Sequence, residues 1–329
     1  MLAFIIRRLL QSIMVMLAVG FIAFSLFNFV GDPVSLMLPP EATAADREEV
    51  RKSLGLDEPF YIQFGKFVGN AVQGNFGISL RLGRPVSQLL VERLPATLEL
   101  AMTAALIGLF VGIPMGVYTA LRRHSVTSKI LLTGSLIGVS LPNVLIGIFL
   151  ILIFAVWLGV LPSFGRGDVT RLGLWSTGFL TVTGLKALIL PAITLGLFQL
   201  TLIMRLVRSE MLEVMRTDYI KFARARGLTN RAINFGHALK NTLVPVITVA
   251  GLQLGALIAF ALVTETVFAW PGVGQLFIQS VQFSDIPVMA AYLMLIGLLF
   301  VVINLVVDLL YFAVDPRLRG GGAARVGGH

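Results

Sequence analysis

The chain has 329 residues, is 57% hydrophobic and 13% charged, and has a mean hydropathy of +0.89. A soluble domain has no interior large enough to hide that apolar surface, so the composition excludes one and points to a polytopic membrane protein in a lipid bilayer. The formal charge of +9 would suggest nucleic acid in a soluble chain, but here it reads as basic loops held on the cytoplasmic side, with no nucleic acid as partner.

In chain order, MLAFIIRRLLQSIMVML has the look of a secretory signal. The uncharged run over 9–31 is 23 residues long, however, which exceeds a signal's apolar region and can span a bilayer, so it is read as a retained first span. Further charge-free runs follow at 100–121, 130–165, 187–204, 241–264 and 286–307. All but one have the length of a single span. The run over 130–165 is too long for one helix and too short for two with a loop. It predicts a helix over about 130–158 with a kink at Pro142 and a non-helical tail through Pro162. Six spanning helices result, in an all-α fold.

Basic residues set the orientation. With the N-terminus inside, the cytoplasmic segments hold Arg7 and Arg8, then Arg122, Arg123 and Lys129, then the loop over 205–240, then Arg317, Arg319 and Arg325. The opposite orientation would place the most basic loop outside, so both termini are expected in the cytoplasm. The chain then divides into the N-terminus and first span (1–31), an extracytoplasmic insert (32–97), a membrane core (98–314) and a cytoplasmic tail (315–329).

Within the insert, ATAADREEVRKSLGL (42–56) reads as an amphipathic helix begun by Ala45 and Asp46, with Val50, Leu54 and Leu56 facing inward. FYIQFGKFVGNAVQ (60–73) predicts a second helix, and GNFGISLRLGRPV (74–86) is rich in turn residues. The next external segment, 159–186, carries Arg166-Gly167-Asp168, read as a chance occurrence of an adhesion tripeptide. The third, 265–285, is aromatic at Phe268 and Trp270 and apolar at Leu276 and Phe277. Pro271-Gly272 turns it, and it is expected to dip into the membrane surface as a short helix.

The longest polar interruption, 205–240, carries eight basic residues against three acidic ones. At its centre DYIKFARARGL predicts a short helix, capped by Thr217 or Asp218 and ended by Gly227 in the left-handed conformation. A helix of that length is marginal alone in water and needs a surface to lie against. Tyr219, Phe222, Ala223 and Arg226 fall on one side of it, and Lys221 and Arg224 towards the other. Small Ala223, Ala225 and Gly227 leave room for a partner to approach closely. A basic amphipathic helix lying on lipid headgroups is the alternative that this pattern alone leaves open.

Enzyme chemistry is missing. There are no cysteines, and His124, His237 and His329 make no metal-ligand spacing, so no metal site is expected. Gly65-Lys66 is not preceded by a phosphate-binding loop, and neither G-x-S-x-G nor H-E-x-x-H occurs. Glu99 and Asp308 lie at the ends of their apolar runs, which disfavours a carrier driven by protons or sodium. Ser140, Asn143, Gln199, Gln253 and Asn304 are polar residues that either line a route or bridge helices.

DYIKFARARGL followed by HALKNTLVP resembles the cytoplasmic coupling segment of ABC importer permeases, in the form found in the dipeptide, oligopeptide and nickel group. The general pattern in such permeases is Glu-Ala-Ala, three residues, Gly, nine residues, then Ile-x-Leu-Pro. Aligned on Gly227, Lys221-Phe222-Ala223 occupies the first position and His237-Ala238-Leu239-Lys240 the last, with matches at Ala223, Gly227 and Leu239. The resemblance extends along most of the chain. It takes in GDP (31–33), LGLDEPFYIQF (54–64), GNFGISL (74–80), RLPATLEL (93–100), ETVFAWPGVGQL (265–276), FSDIPV (283–288) and DPRLR (315–319). By motif order the chain is similar to the first of the two permease subunits.

This resemblance implies a type I importer fold in the bacterial inner membrane, with no cofactor in the chain itself. ATP and Mg would reside on two ATPase subunits, identical or paired homologues. A homologous second permease would complete the pore, and an extracytoplasmic binding protein would deliver the cargo. Peptides are the implied cargo, with nickel chelates, glutathione and small glycosides as alternatives. Asp218, Tyr219, Lys221, Phe222, Ala223, Ala225, Arg226, Gly227 and Leu228 would contact the ATPase. Glu265, Phe268, Pro271, Gly272 and Gly274 would take part in docking the binding protein.

Overall fold

A computed structural model describes residues 2–29, 34, 43–53 and 57–314. The GDP motif, Leu54, Leu56 and the tail over 315–329 lie outside the described residues, as does the side chain of Val50. Long helices dominate. They are α1 (Leu2–Phe29), α4 (Val86–Leu121), α8 (Val182–Val214), α10 (Leu239–Val267) and α12 (Ile286–Val314). Each contains a stretch long and apolar enough to cross a membrane. Shorter helices α2 (Ala44–Ser53) and α3 (Phe60–Val72) occupy the insert, close to where the sequence predicts them.

Thr43 caps α2. Its hydroxyl accepts from the Asp46 amide (3.2 Å), while its own amide donates to the Asp46 carboxylate (2.9 Å). Hydrogen bonds from the Thr43 hydroxyl, and then from its amide, hold the Asp46 carboxyl below the usual carboxylate range. The cap therefore weakens as pH falls through that lowered value. Helix α3 lies against α1, with Phe24 edge-on to Phe60 at a centroid distance of 5.0 Å and Phe21 edge-on to Phe64 at 5.8 Å.

The expected third span is broken rather than kinked. α5 (Val126–Ser135) and α6 (Ile137–Ser140) end before Leu141, and α7 (Asn143–Leu150) restarts after Pro142 and runs on as a π-helix over Ile151–Trp157. The two halves meet at 112°. Pro142 disfavours the helical region for the residue before it, and Leu141 is extended (φ −97, ψ 138), so the helix is interrupted there.

Charge-free runs also understate the helices. α4 begins at Val86, upstream of the apolar run, because Val86, Leu89 and Leu90 pack against Val273, Leu276 and Val288. α8 continues through Arg205, Arg208, Glu210 and Glu213 into the polar loop. Charge marks where lipid ends, not where intrahelical hydrogen bonding ends. A second departure from an all-helical expectation is a hairpin of β1 (Thr170–Leu172) and β2 (Trp175–Thr177) in the loop over 159–181.

The bundle is built on α4 against α8. Gly108, Gly112 and Gly116 recur every fourth residue on α4, and a Cβ on them would lie 2.7 Å from Gln199 Cγ, 3.0 Å from the Leu200 carbonyl oxygen and 2.7 Å from that of Met204. Only glycine lets the two backbones approach so closely, which is how membrane helices gain contact without a hydrophobic driving force. α1 packs on α12, where Arg8 reaches Asp308 at 2.9 Å. The helix α11 (Val273–Gln282) closes the end of the bundle that carries the insert.

Candidate functional site

At the end of the bundle opposite the insert, α9 (Asp218–Ala225) forms as the sequence predicts. Thr217 is its N-cap residue, although the Thr217 hydroxyl donates back to the Val214 carbonyl (2.6 Å) instead of capping the helix. The C-terminus is a complete Schellman turn: the Gly227 amide donates to Arg224 (2.9 Å) and the Leu228 amide to Ala223 (3.3 Å). Gly227 has φ +77, the left-handed region that glycine adopts at little cost. Thr229 then caps the next element, accepting from the Ala232 amide (3.3 Å) ahead of the π-helical turn Ala232–Ala238.

Ile220 and Ala223 are buried against Val207, Met211, Ile233 and Ala238. Ala223 therefore packs into the chain's own core, and Ile220 is an anchor that the family motif does not mark. The Tyr219 hydroxyl accepts from Asn241 Nδ2 (2.6 Å), which ties α9 to α10. Phe222 is 64% exposed, and Tyr219 and Leu228 are 41% exposed. These three make an apolar ridge bordered by Lys221, Arg224 and Arg226, all exposed. Among the described residues Lys221 pairs with Asp218 (2.8 Å), and both are well exposed, so that pair holds neither in place. Among the described residues, no atom beyond the adjoining residues lies within 4 Å of a Cβ built on Gly227. Its service is to turn the chain, not to admit a neighbour within this fold.

Three buried carboxylates organise the insert end, and the sequence identified none of their partners. Glu99 accepts from Arg166 Nη2 (2.6 Å), and Arg166 also donates to the hydroxyl (3.1 Å) and carbonyl (2.6 Å) of Ser176. The Arg-Gly-Asp arginine is thus an internal strut, 7% exposed. Glu265 accepts from the Thr97 hydroxyl and the Gln275 amide (2.9 Å). A Cβ on Gly272 or Gly274 would collide with the Glu265 carboxylate, so these glycines make its pocket.

Phe268, Trp270 and Leu276 are almost fully buried, and the Trp270 Nε1 donates to the Ala96 carbonyl (2.9 Å). The expected dip into the membrane surface is replaced by packing inside the protein. Of the predicted docking residues, Glu265, Phe268, Gly272 and Gly274 lie beneath the surface, and Pro271 is half-buried. They shape the loop from below.

Asp285 joins two motifs far apart in sequence, FSDIPV and GNFGISL. Its carboxylate accepts from the Ser79 hydroxyl and from the amides of Leu80 (3.1 Å) and Arg81 (3.3 Å). The Arg81 guanidinium lies 4.0 Å from the Phe283 ring centroid. Asp285→Ala leaves a buried hydroxyl and two amides without their acceptor. It is expected to cost about 3 kcal/mol and to expose residues 74–86 to protease, whereas Asp285→Asn loses less. Equal cleavage rates in limited proteolysis would count against this latch.

Between the two ends, Asn143, Gln199 and Gln253 come together on one cavity of about 440 Å³ at the break of the third span. Ser140 is exposed and not among its lining residues, and Asn304 instead donates to the Phe300 carbonyl (2.8 Å). The pattern that would have singled out Gln199 is the glycine spacing on α4, which makes room for it.

Comparisons bear on both the bundle and the insert. The family profile described as "binding-protein-dependent transport system inner membrane component" matches residues 112–320, and the N-terminal profile of the corresponding membrane component matches 1–101. The chain is 40% identical to the oligopeptide transport system permease protein AppB of Bacillus subtilis, covering 97% of this chain and 100% of that one. It is also 40% identical to the di/tripeptide transport system permease protein DppB of Pseudomonas aeruginosa, over 97% of this chain and 99% of that one. Among solved structures, an inward-facing MetNI methionine ABC transporter aligns with a TM-score of 0.55 at 23% identity. That alignment covers 69% of this chain and 96% of the other, a likeness of fold.

Proposed function

The chain belongs to the family of binding-protein-dependent transport system inner membrane components, and we propose that it forms half of a translocation route for short peptides, driven through α9. Members of this family are non-catalytic, multi-pass membrane subunits of ABC importers. ATP is bound by their ATPase partners, and a binding protein brings the cargo. Relatives named for oligopeptide and di/tripeptide transport support peptides as cargo here.

The observation that carries the coupling role is the division of α9 between an anchored and a free face. Ile220 and Ala223 fasten it to α8 and to the start of α10, while Phe222, Tyr219 and Leu228 face outward among cations. An aromatic ridge left in water is the mark of a protein partner, and an ATPase groove is the partner this family requires. Force applied to Phe222 would pass through Ile220 to α8, which packs along α4. Two ATPase subunits, a homologous second permease and both termini in the cytoplasm complete the arrangement. The basic character of the α9 end supports that orientation.

For the binding protein, the exposed parts of the insert end are the proposed contact, above all Arg81 with Phe283 and the hairpin tip at Leu174, which is 87% exposed. Glu265, Phe268, Pro271, Gly272 and Gly274 hold that surface in shape.

Gly227→Val tests the lever. A β-branched residue at φ +77 costs about 1–2 kcal/mol and breaks the turn that aims Leu228. In a reconstituted complex, assembly is expected to persist, peptide uptake to fall at least tenfold, and ATP consumed per peptide to rise. Unchanged uptake with unchanged stimulated ATPase sinks the proposal.

A further inference from the structure

Helix α3 of the insert rests on the bundle by one side. Phe60, Phe64 and Phe67, spread over about two turns, all reach the single ring of Phe24, at centroid distances of 5.0, 5.5 and 5.6 Å. No residue of α3 is buried, so its remaining sides are surface, and they differ in chemistry. Gln63, Lys66 and Asn70 share one face by their spacing of three and seven residues. On that face Lys66 pairs with Glu58 (2.6 Å), and Gln63 Nε2 donates to the Glu58 carbonyl (2.7 Å). Tyr61, Val68 and Val72, spaced by seven and eleven, fall on roughly the opposite face. Tyr61 is 73% exposed, Val72 is 83% exposed, and Val68 is half-buried.

A second observation concerns depth. Phe24 is the last residue but one of Ile6–Ser25, the stretch of α1 that is long and apolar enough to cross a membrane. A helix packed on Phe24 is held where hydrocarbon gives way to headgroups, not in open water. An apolar row left in water there would be costly to keep, whereas lipid covers it at no such cost. A short helix with a polar face opposite an apolar one, fixed at that depth, suits the plane of the interface.

We propose that α3 is a membrane-surface anchor: Tyr61, Val68 and Val72 enter the leaflet at the insert end, and Gln63, Lys66 and Asn70 face water. The lipid contact follows from the packing of α3 on α1, and it depends neither on the cargo nor on which side of the membrane is cytoplasmic. Tyrosine suits this level, because its ring is apolar while its hydroxyl stays among headgroups. The insert is then held at two points. Asp285 fastens residues 79–81 to the bundle, and α3 fastens 60–72 to the bilayer. The surface around Arg81 and Phe283 is thereby kept at a fixed height above the membrane.

The chain has no cysteine, so single cysteines can be introduced and tagged with a nitroxide. Tyr61→Cys, Val68→Cys and Val72→Cys are compared with Gln63→Cys and Asn70→Cys. The complete transporter is used, with cysteine-free partner subunits, in vesicles of phosphatidylcholine and phosphatidylglycerol and without the binding protein. The measurement is collision with oxygen, which concentrates in lipid, relative to collision with a water-soluble nickel chelate. That ratio is expected to be at least about threefold higher at the first three positions than at the other two. Equal access of the nickel chelate to all five shows a solvated helix and overturns the proposal. Poor access of both reagents to positions 61, 68 and 72 shows that a protein covers the face, and overturns it as well. The double variant Tyr61→Asp with Val72→Asp is a second check, and since no residue of α3 is buried, the bundle should fold unaltered. With the nitroxide on Val68→Cys, the ratio in this variant is expected to fall to that of Gln63→Cys. A ratio that stays high shows that these side chains do not anchor α3, and the proposal fails.

Discussion

Arg166→Ala is expected to destabilise the protein by about 3–5 kcal/mol, the cost of leaving a buried carboxylate without its cation. Glu99 and Arg166 are 3% and 7% exposed, so water cannot replace the lost partner. Arg166 also holds Ser176 of the hairpin by two bonds, and the Gly178 amide donates to the same Glu99 oxygen (3.3 Å). The loop over 159–181 should therefore detach from α4 as a unit. Thermal unfolding in detergent should show a lowered transition, and hydrogen exchange should show early loss of protection over 166–178. The double variant Glu99→Gln with Arg166→Met should recover most of the loss, because a neutral pair of similar volume no longer buries a charge. A double variant as unstable as Arg166→Ala would show that packing, not charge pairing, holds the loop.

Ile220→Asp should abolish coupling. Ile220 is fully buried between α8 and the turn Ala232–Ala238. Removing it leaves a cavity and places an unpaired carboxylate in apolar surroundings, a loss above about 3 kcal/mol. α9 has only eight residues and no stability of its own, so it should leave the bundle. The transmembrane helices do not depend on Ile220, and insertion should proceed. Uptake by the reconstituted complex should fall to less than a tenth, and a cysteine placed at Phe222 should lose its crosslink to the ATPase. Phe222→Ala offers the contrast. Its side chain is outward, so binding to the ATPase should weaken while α9 stays docked. A crosslink preserved in Ile220→Asp would show that α9 holds its position without that anchor.

Much of this was legible beforehand, for local reasons. Thr217, Gly227 and the apolar spacing between them define α9 within the chain of eleven residues that contains it, and capping chemistry needs no distant partner. The two short helices of the insert were visible in the same way. The broken span was half legible. Pro142 announced an interruption, but whether a proline bends or breaks a membrane helix depends on what its neighbours offer. Here Gly138 seats its half-helix against Leu197 and Thr201 of α8, and the other half departs at 112°. Burial at 265–285 was misread because Phe268 and Trp270 look alike whether they face lipid headgroups or the protein interior. The Ala96 carbonyl that receives the Trp270 N–H lies 174 residues away.

The sequence alone determined the membrane class, the runs able to span, the most basic loop and the short helix within it. These follow from which solvent each stretch tolerates and from which residues can start or stop a helix. Tertiary structure decided which acids are buried and with whom: Glu99 with Arg166, Glu265 with Thr97, Asp285 with Ser79. It also decided that Ala223 turns inward, that Glu265, Phe268, Gly272 and Gly274 lie under their surface, and that Asn143, Gln199 and Gln253 share one cavity. Pattern along the chain reports the average surroundings of a segment. A hydrogen bond is set by the few ångströms between two particular atoms, and only the packing of the helices and of the loops between them brings those atoms together.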